Sequence, residues 1–113
     1  MDTSDLLARL DAEGALAFLS RMVAHKSYSE TDGERDLARF MAEAMRGIGL
    51  DAETTPIPGD RLNAVGRWTG SGGGKSLLFN GHLDTNPVTE GWTVDPWDGK
   101  VDDAFIYGIG CSN

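Results

Sequence analysis

The chain has 113 residues, a length that suits one domain or part of one. Its 18 acidic residues outnumber its 10 basic residues, and the resulting net charge of −8 argues against a nucleic-acid partner. A single cysteine, Cys111, excludes an internal disulfide and fits a reducing compartment.

No targeting or membrane segment is visible in the sequence. The acidic start, "MDTSDLLARLDAEG", lacks the basic region of a signal peptide, and no window approaches the roughly 20 apolar residues that cross a bilayer. We therefore expect a soluble, cytoplasmic protein with no membrane and no nucleic-acid partner.

Two helices are expected in the first half of the chain. The first covers residues 12–26, where apolar residues recur at helical spacing. The second covers residues 32–46, with Thr31 and Glu34 at the spacing of a capping box and with Gly47 and Gly49 as its stop. The apolar stripe of this second helix is Leu37, Phe40, Met41, Ala44, Met45 and Ile48.

The hydrophobic period then changes to that of strands. "LDAETTPIP" looks extended, "LNAVGRWT" is typical of a strand, and "SLLFN" (76–80) is the short apolar run typical of a buried strand. "KVDDAFIYGIG" has the pattern of a hairpin turning at Asp102-Asp103. Helices followed by strands predict an α/β fold, a sheet with helices packed on it.

The glycine run "TGSGGGKS" does not fit a phosphate-binding loop. That motif needs a glycine where this chain has Thr69, and it needs a helix where this chain has a predicted strand. We interpret the run as a hairpin turn.

His82 is the histidine with a candidate chemical role, because Asp84 follows two residues later. Residues i and i+2 of an extended segment point to the same side. A metal-binding histidine usually donates its second ring N–H to a carboxylate or a carbonyl, and Asp84 is placed to accept it. Two residues do not make a zinc site, so a histidine that merely ends a strand stays open. His25, near the end of the first helix, is interpreted as a helix-end histidine.

Cys111 and Asn113 are weaker candidates. Cys111 can act as a soft metal ligand, although a small buried cysteine is commoner. Asn113 can offer a carbonyl oxygen, although a neutral amide is a poorer zinc ligand than a carboxylate. The alternative for both is a turn after a hairpin.

A series of motifs begins at this histidine and continues toward the end of the chain in a fixed order. These are Gly81-His82-Leu83-Asp84, Trp92, Asp95-Pro96-Trp97, Tyr107-Gly108-Ile109-Gly110 and Ser112. In this order the chain resembles the first metal-binding stretch of the zinc-dependent aminoacylase, acetylornithine deacetylase and succinyl-diaminopimelate desuccinylase family. The two helices, "GIGLDAE" and "RLNAVGRW" fit as well, so the resemblance covers nearly the whole chain.

The resemblance implies a zinc site and an activity. His82 would bind one of two zinc ions, Asp84 would be the catalytic-site residue that orients this histidine, and Asn113 occupies the position of the bridging carboxylate. Cobalt and manganese are the alternative metals. The implied reaction is metal-assisted hydrolysis of N-acyl amino acids or small peptides.

The resemblance also implies an architecture. Residues 1–113 would be the N-terminal part of a single catalytic domain without an internal boundary, with the layered α/β/α sheet of zinc peptidases. A general-base glutamate, the other metal ligands and an inserted dimerisation domain would follow, which makes a homodimer the expectation for the full-length protein.

Asn113 departs from the family pattern, in which an aspartate stands there. An amide is neutral and offers one good acceptor oxygen, so a single-metal site or no metal is an alternative. A non-catalytic relative that uses the same cleft for binding, and an unrelated α/β interaction module, are the competing hypotheses. We expect residues 1–113 alone to be inactive, to bind zinc weakly and to be marginally stable.

Overall fold

The structure is a computed structural model that describes residues 2–112. The described residues combine helices with an antiparallel pair of strands, so the expected α/β class is confirmed. None of these helices has the length and apolar character needed to cross a membrane. The elements are α1 (Thr3–Leu7), α2 (Ala12–Val23), α3 (Asp32–Gly47), β1 (Asp51–Ile57) and β2 (Arg61–Arg67).

The chain divides into two compact units, each described by itself. The first unit holds the residues up to Ala24 together with those from Val88 onward, and the second unit is His25–Pro87. That the chain forms part of one catalytic domain stays a prediction.

In the second unit, α3 packs on the hairpin of β1 and β2. The strands are antiparallel, with Thr54 opposite Ala64. The buried apolar side chains of this unit are Leu37, Ala38 and Ala42 on α3 and Ala52 on β1. The predicted stripe of α3 is thus correct at Leu37, whereas Ile48, beyond the end of the helix, is 71% exposed.

The start of α3 differs from the predicted capping box. The Thr31 hydroxyl donates to the Tyr28 carbonyl oxygen (2.6 Å) instead of accepting from the first turn. Glu34 accepts from the backbone N–H of Glu30 (2.7 Å), one residue earlier than a capping box requires. The capping-box prediction was therefore wrong, because both side chains serve the loop that precedes the helix.

α3 ends at Gly47, where the two glycines of the sequence predicted its end. Gly49 has φ +91°, its N–H donates to the Arg46 carbonyl oxygen (2.9 Å), and the Leu50 N–H donates to Met45 (3.0 Å). These two bonds satisfy carbonyl groups that the helix itself leaves without partners.

The segment after β2 does not match its prediction. Residues 76–80, "SLLFN", are irregular, and Leu77, Leu78 and Phe79 are 79%, 85% and 87% exposed. The prediction of a buried strand was wrong, because within residues 2–112 the two strands pair only with each other. A strand forms only where a neighbouring backbone pairs with its N–H and C=O groups. The glycine run before it is a bend, not the predicted hairpin turn.

In the first unit, α2 begins at Ala12 as predicted and ends at Val23, three residues before the predicted Lys26. Lys26 has φ +51°, a left-handed conformation that a helix cannot contain. Asp11 accepts from the backbone N–H of Gly14 (2.9 Å) and so caps the start of α2. The short helix α1 was not predicted, and none of its residues is buried.

The predicted hairpin near the end of the chain is confirmed as a tight turn. Val101 and Ile106 form an antiparallel bridge, and the Asp102 N–H donates to the Phe105 carbonyl oxygen (2.9 Å). The tip of the turn is therefore at residues 103–104, one position later than predicted.

Candidate functional site

The second unit brings His82 and Asp84 together. Nδ1 of His82 lies 2.9 Å from the backbone oxygen of Asp84 and 3.3 Å from its Oδ1. A carbonyl oxygen and an ionised carboxylate only accept hydrogen bonds, so in the neutral imidazole Nδ1 carries the proton. The lone pair of Nε2 is then free, on a side chain that is 57% exposed.

The two carboxylate oxygens of Asp84 have different partners. Oδ1 faces His82, whereas Oδ2 accepts from the Ser29 hydroxyl (2.5 Å) and lies 3.7 Å from Nη2 of Arg61. The Ser29 hydrogen bond is the main reason why the pKa of Asp84 is lowered, and His82 adds to the effect. Asp84 is therefore an ionised hydrogen-bond acceptor at neutral pH.

The backbone around Asp84 is held by residues 27–29, which we call the clamp segment. Tyr28 and Thr85 form a parallel bridge. The Thr85 N–H donates to the Ser27 carbonyl oxygen (2.8 Å), and the Ser29 N–H donates to that of Thr85 (3.2 Å). The buried Ser27 donates its hydroxyl to the Leu83 carbonyl oxygen (2.8 Å). Residues 83–85 are thus fixed on both sides of Asp84.

Arg61, at the start of β2, is held by Glu34 on α3. Nε of Arg61 donates to Oε1 and Oε2 of Glu34 (2.9 and 3.1 Å), and Nη2 donates to Oε1 (2.5 Å). The Glu34 side chain is 6% exposed, which is unusual for a carboxylate unless it is paired. The hydrogen bond to Glu34 is the main reason why the pKa of Arg61 is raised.

The downstream motifs of the sequence lie in the first unit. The Asp95 carboxylate accepts from the backbone N–H of Trp97 (2.8 Å), and the Ile109 N–H donates to the Pro96 carbonyl oxygen (2.9 Å). The Asp-Pro-Trp and Tyr-Gly-x-Gly motifs therefore meet through their backbones. Among the described residues of this unit, no group of three or more His, Cys, Asp or Glu side chains could hold a metal ion.

The other residues that the sequence singled out are Cys111, His25 and Asn113. Cys111 is half-buried, and burial raises the pKa of its thiol, which disfavours the thiolate that a metal requires. The ring of His25, just beyond α2, lies 4.7 Å from that of Phe40, a packing contact that fits its interpretation as a helix-end residue. Asn113 lies outside the described residues.

The described part of the second unit supplies one candidate metal ligand. Within residues 2–112, no three side chains of His, Cys, Asp or Glu converge on one point. His82 fits the part of a ligand, since its Nε2 is free and its Nδ1–H is held by acceptors. Zinc generally takes three or four protein ligands. His82 would be one of these ligands and Asp84 would be its hydrogen-bond partner, so the two residues alone do not complete a zinc site.

Three residues of the site were missed by the sequence reasoning. Ser29 and Arg61 carry no local signal that connects them with Asp84, and the spacing of Glu34 favoured a capping role. Hydrogen bonds that span 55 and 27 positions bring these side chains together. No periodic pattern reports contacts of that range.

No model of a known protein family matches this chain, and no solved structure matches it.

Proposed function

We propose that His82 is a metal ligand, and Asp84 its orienting partner, in a metal-dependent amide hydrolase that acts on N-acyl amino acids or small peptides. The observation that carries the proposal is the contact of His82 Nδ1 with two oxygens of Asp84, which leaves Nε2 free. The proposal includes the layered α/β/α architecture of zinc peptidases, to which the helix-on-hairpin arrangement of the second unit would belong.

The chemistry divides between the metal and the chain. A zinc ion held in part by His82 would polarise the scissile carbonyl and would lower the pKa of a coordinated water toward ~7. His82 contributes a neutral nitrogen whose tautomer is set by Asp84. The negative charge of Asp84 makes the imidazole a stronger ligand. The general base and the other ligands are, on the resemblance, residues that follow position 113.

Asn113 supports a second candidate function. A neutral amide at the position of a bridging carboxylate offsets no cationic charge and offers one good acceptor oxygen. This residue favours either a single-metal hydrolase or a non-catalytic relative that binds ligands in the same cleft. The substitution Asn113→Asp separates these alternatives from a two-metal enzyme, in which it would raise the metal stoichiometry or the rate.

The first test uses NMR of the 113-residue chain. We expect ¹⁵N shifts of His82 to show the Nδ1–H tautomer, and we expect added Co²⁺ to broaden the His82 ring signals at lower concentration than those of His25. Co²⁺ binding should be weak, because His82 is the one ligand that this site supplies. His82→Ala should abolish it and His25→Ala should preserve it. An Nε2–H tautomer at His82, or equal broadening at both rings, would contradict the proposal.

The second test is activity. The full-length protein should hydrolyse members of a panel of N-acyl amino acids and dipeptides in proportion to its metal content, and His82→Ala should remove both metal and activity. The 113-residue chain alone should be inactive, so measurable hydrolysis by it would contradict the proposed division of the site.

A further inference from the structure

We propose that Ser29 and Arg61 are positioning residues that reserve Oδ1 of Asp84 for His82 by occupying Oδ2. The metal-binding consequence of this inference rests on the proposed function, whereas the positioning itself does not. Neither residue belongs to the His-x-Asp motif, and both reach Asp84 from distant parts of the second unit.

The first support is the division of the carboxylate. Rotation of a carboxylate about its terminal bond exchanges its two oxygens, and a carboxylate with free oxygens can turn either one toward a cation. Here Oδ2 accepts a 2.5 Å hydrogen bond from Ser29 and lies 3.7 Å from the Arg61 guanidinium, while Oδ1 lies 3.3 Å from His82 Nδ1. The Ser29 hydrogen bond is at the short end of the range for a charged acceptor.

The second support is that Ser29 is itself held. Its backbone N–H donates to the Thr85 carbonyl oxygen (3.2 Å), so the residue that binds the Asp84 side chain also binds the backbone immediately after it. The hydroxyl and the carboxylate therefore move together. A serine on a free loop would lose side-chain and backbone entropy to make the same bond.

The third support is that Arg61 has one strong partner and one weaker contact. Its guanidinium is committed to Glu34 by contacts of 2.5, 2.9 and 3.1 Å, and the 3.7 Å approach to Asp84 is the remaining contact in this cluster. Arg61 thus places a fixed positive charge beside Oδ2. That charge repels a metal ion from that oxygen.

The Ser29 hydrogen bond and the Arg61 charge both leave Asp84 as a partner of the histidine and disfavour it as a direct metal ligand. If Ser29 is lost, the carboxylate turns more freely, and His82 keeps only the backbone oxygen of Asp84 as a fixed acceptor. Partners of metal ligands typically change affinity or activity by about 10–100-fold when they are removed.

The test compares Ser29→Ala with Ser29→Thr in the 113-residue chain, with Ser71→Ala as the control, because Ser71 is an exposed serine in the glycine run. We expect Ser29→Ala to move part of the His82 population toward the Nε2–H tautomer, because the Asp84 backbone oxygen still accepts from Nδ1, and to weaken Co²⁺ binding about tenfold. Ser29→Thr keeps the hydroxyl and should restore both. Ser71→Ala should change neither.

Arg61→Lys against Arg61→Met provides the second comparison. Lysine retains the charge and should retain most of the His82 signature, whereas methionine should lose it. In the wild-type chain a nuclear Overhauser contact between the Ser29 and Asp84 side chains should be present. Its absence would overturn the inference even if a variant failed to fold.

The outcomes separate the two proposals. If Ser29→Ala shifts the tautomer but the wild-type chain shows no Co²⁺ contact at His82, the positioning stands and the metal function fails. If Co²⁺ binds at His82 and Ser29→Ala changes neither tautomer nor affinity, the metal function stands and the positioning fails.

Discussion

The hydroxyl of Ser29 donates to Oδ2 of Asp84 over 2.5 Å, although 55 positions separate the two residues in the chain. The bond joins the clamp segment to the His-x-Asp motif, and the Tyr28–Thr85 bridge runs beside it. An exposed motif is thereby attached to the unit that contains α3 and the hairpin. Stability measurements on this unit therefore also test the geometry of the site.

Thr85 should tolerate the loss of its hydroxyl. Its Oγ1 is buried and has no hydrogen-bond partner in the described part of the chain, whereas the Thr31 hydroxyl donates to the Tyr28 carbonyl oxygen. An unpaired buried hydroxyl opposes folding, so Thr85→Val should leave the free energy of unfolding unchanged or raise it by up to about 1 kcal/mol. Thr31→Val should lower it by about 1 kcal/mol. Urea unfolding measures both, and a similar loss in the two variants would contradict this assignment.

Two glycines of α3 should respond in opposite directions to alanine. A Cβ at Gly33 would overlap the backbone oxygens of His25 and Lys26, and a Cβ at Gly47 would have no neighbour within 4 Å. Backbone atoms yield little, so Gly33→Ala should destabilise by about 1–3 kcal/mol. Gly47→Ala should be neutral or stabilise by up to about 1 kcal/mol, because alanine favours the helix. Thermal unfolding of both variants checks the prediction, and equal melting temperatures would contradict the packing of α3 on residues 25–26.

The turn in the first unit should respond to pH through Asp102. Its Oδ1 accepts from the N–H groups of Ala104 and Phe105 (both 2.9 Å), and its Oδ2 accepts from the Tyr107 hydroxyl (2.7 Å). These bonds lower the pKa of Asp102, with Ala104 as the largest cause, and the bond to Asp102 raises the pKa of Tyr107.

The two shifts act at opposite ends of the pH range. Because folding lowers the pKa of Asp102, its contribution is present above the unfolded value of about 3.9 and is lost as pH falls through the folded value. Because folding raises the pKa of Tyr107, its contribution is present below about 10 and is lost as pH rises through the folded value. Asp102→Asn should flatten both limbs of the melting temperature against pH. Tyr107→Phe should remove the alkaline limb and keep most of the acid limb, and an unchanged alkaline limb would count against the Asp102–Tyr107 bond.

Local patterns predicted much of the fold correctly. The starts of α2 and α3, the strands β1 and β2 and the turn near residues 103–104 follow from hydrophobic period and from glycine, each within a few residues. The buried strand at 76–80 did not follow, because a short apolar run does not itself supply the neighbouring strand that it needs.

His82 and Asp84 were placed together by the sequence alone, since two residues at i and i+2 of an extended segment share a side without help from the rest of the chain. Only the tertiary structure decided which carboxylate oxygen of Asp84 faces the imidazole, because the partners of the other oxygen come from distant parts of the chain. Ser29, Arg61 and Glu34 settle this choice, and they lie on the clamp segment, β2 and α3. Their hydrogen bonds form only when folding brings those segments together, a step that depends on the packing of α3 against the hairpin and on no pattern within the motif.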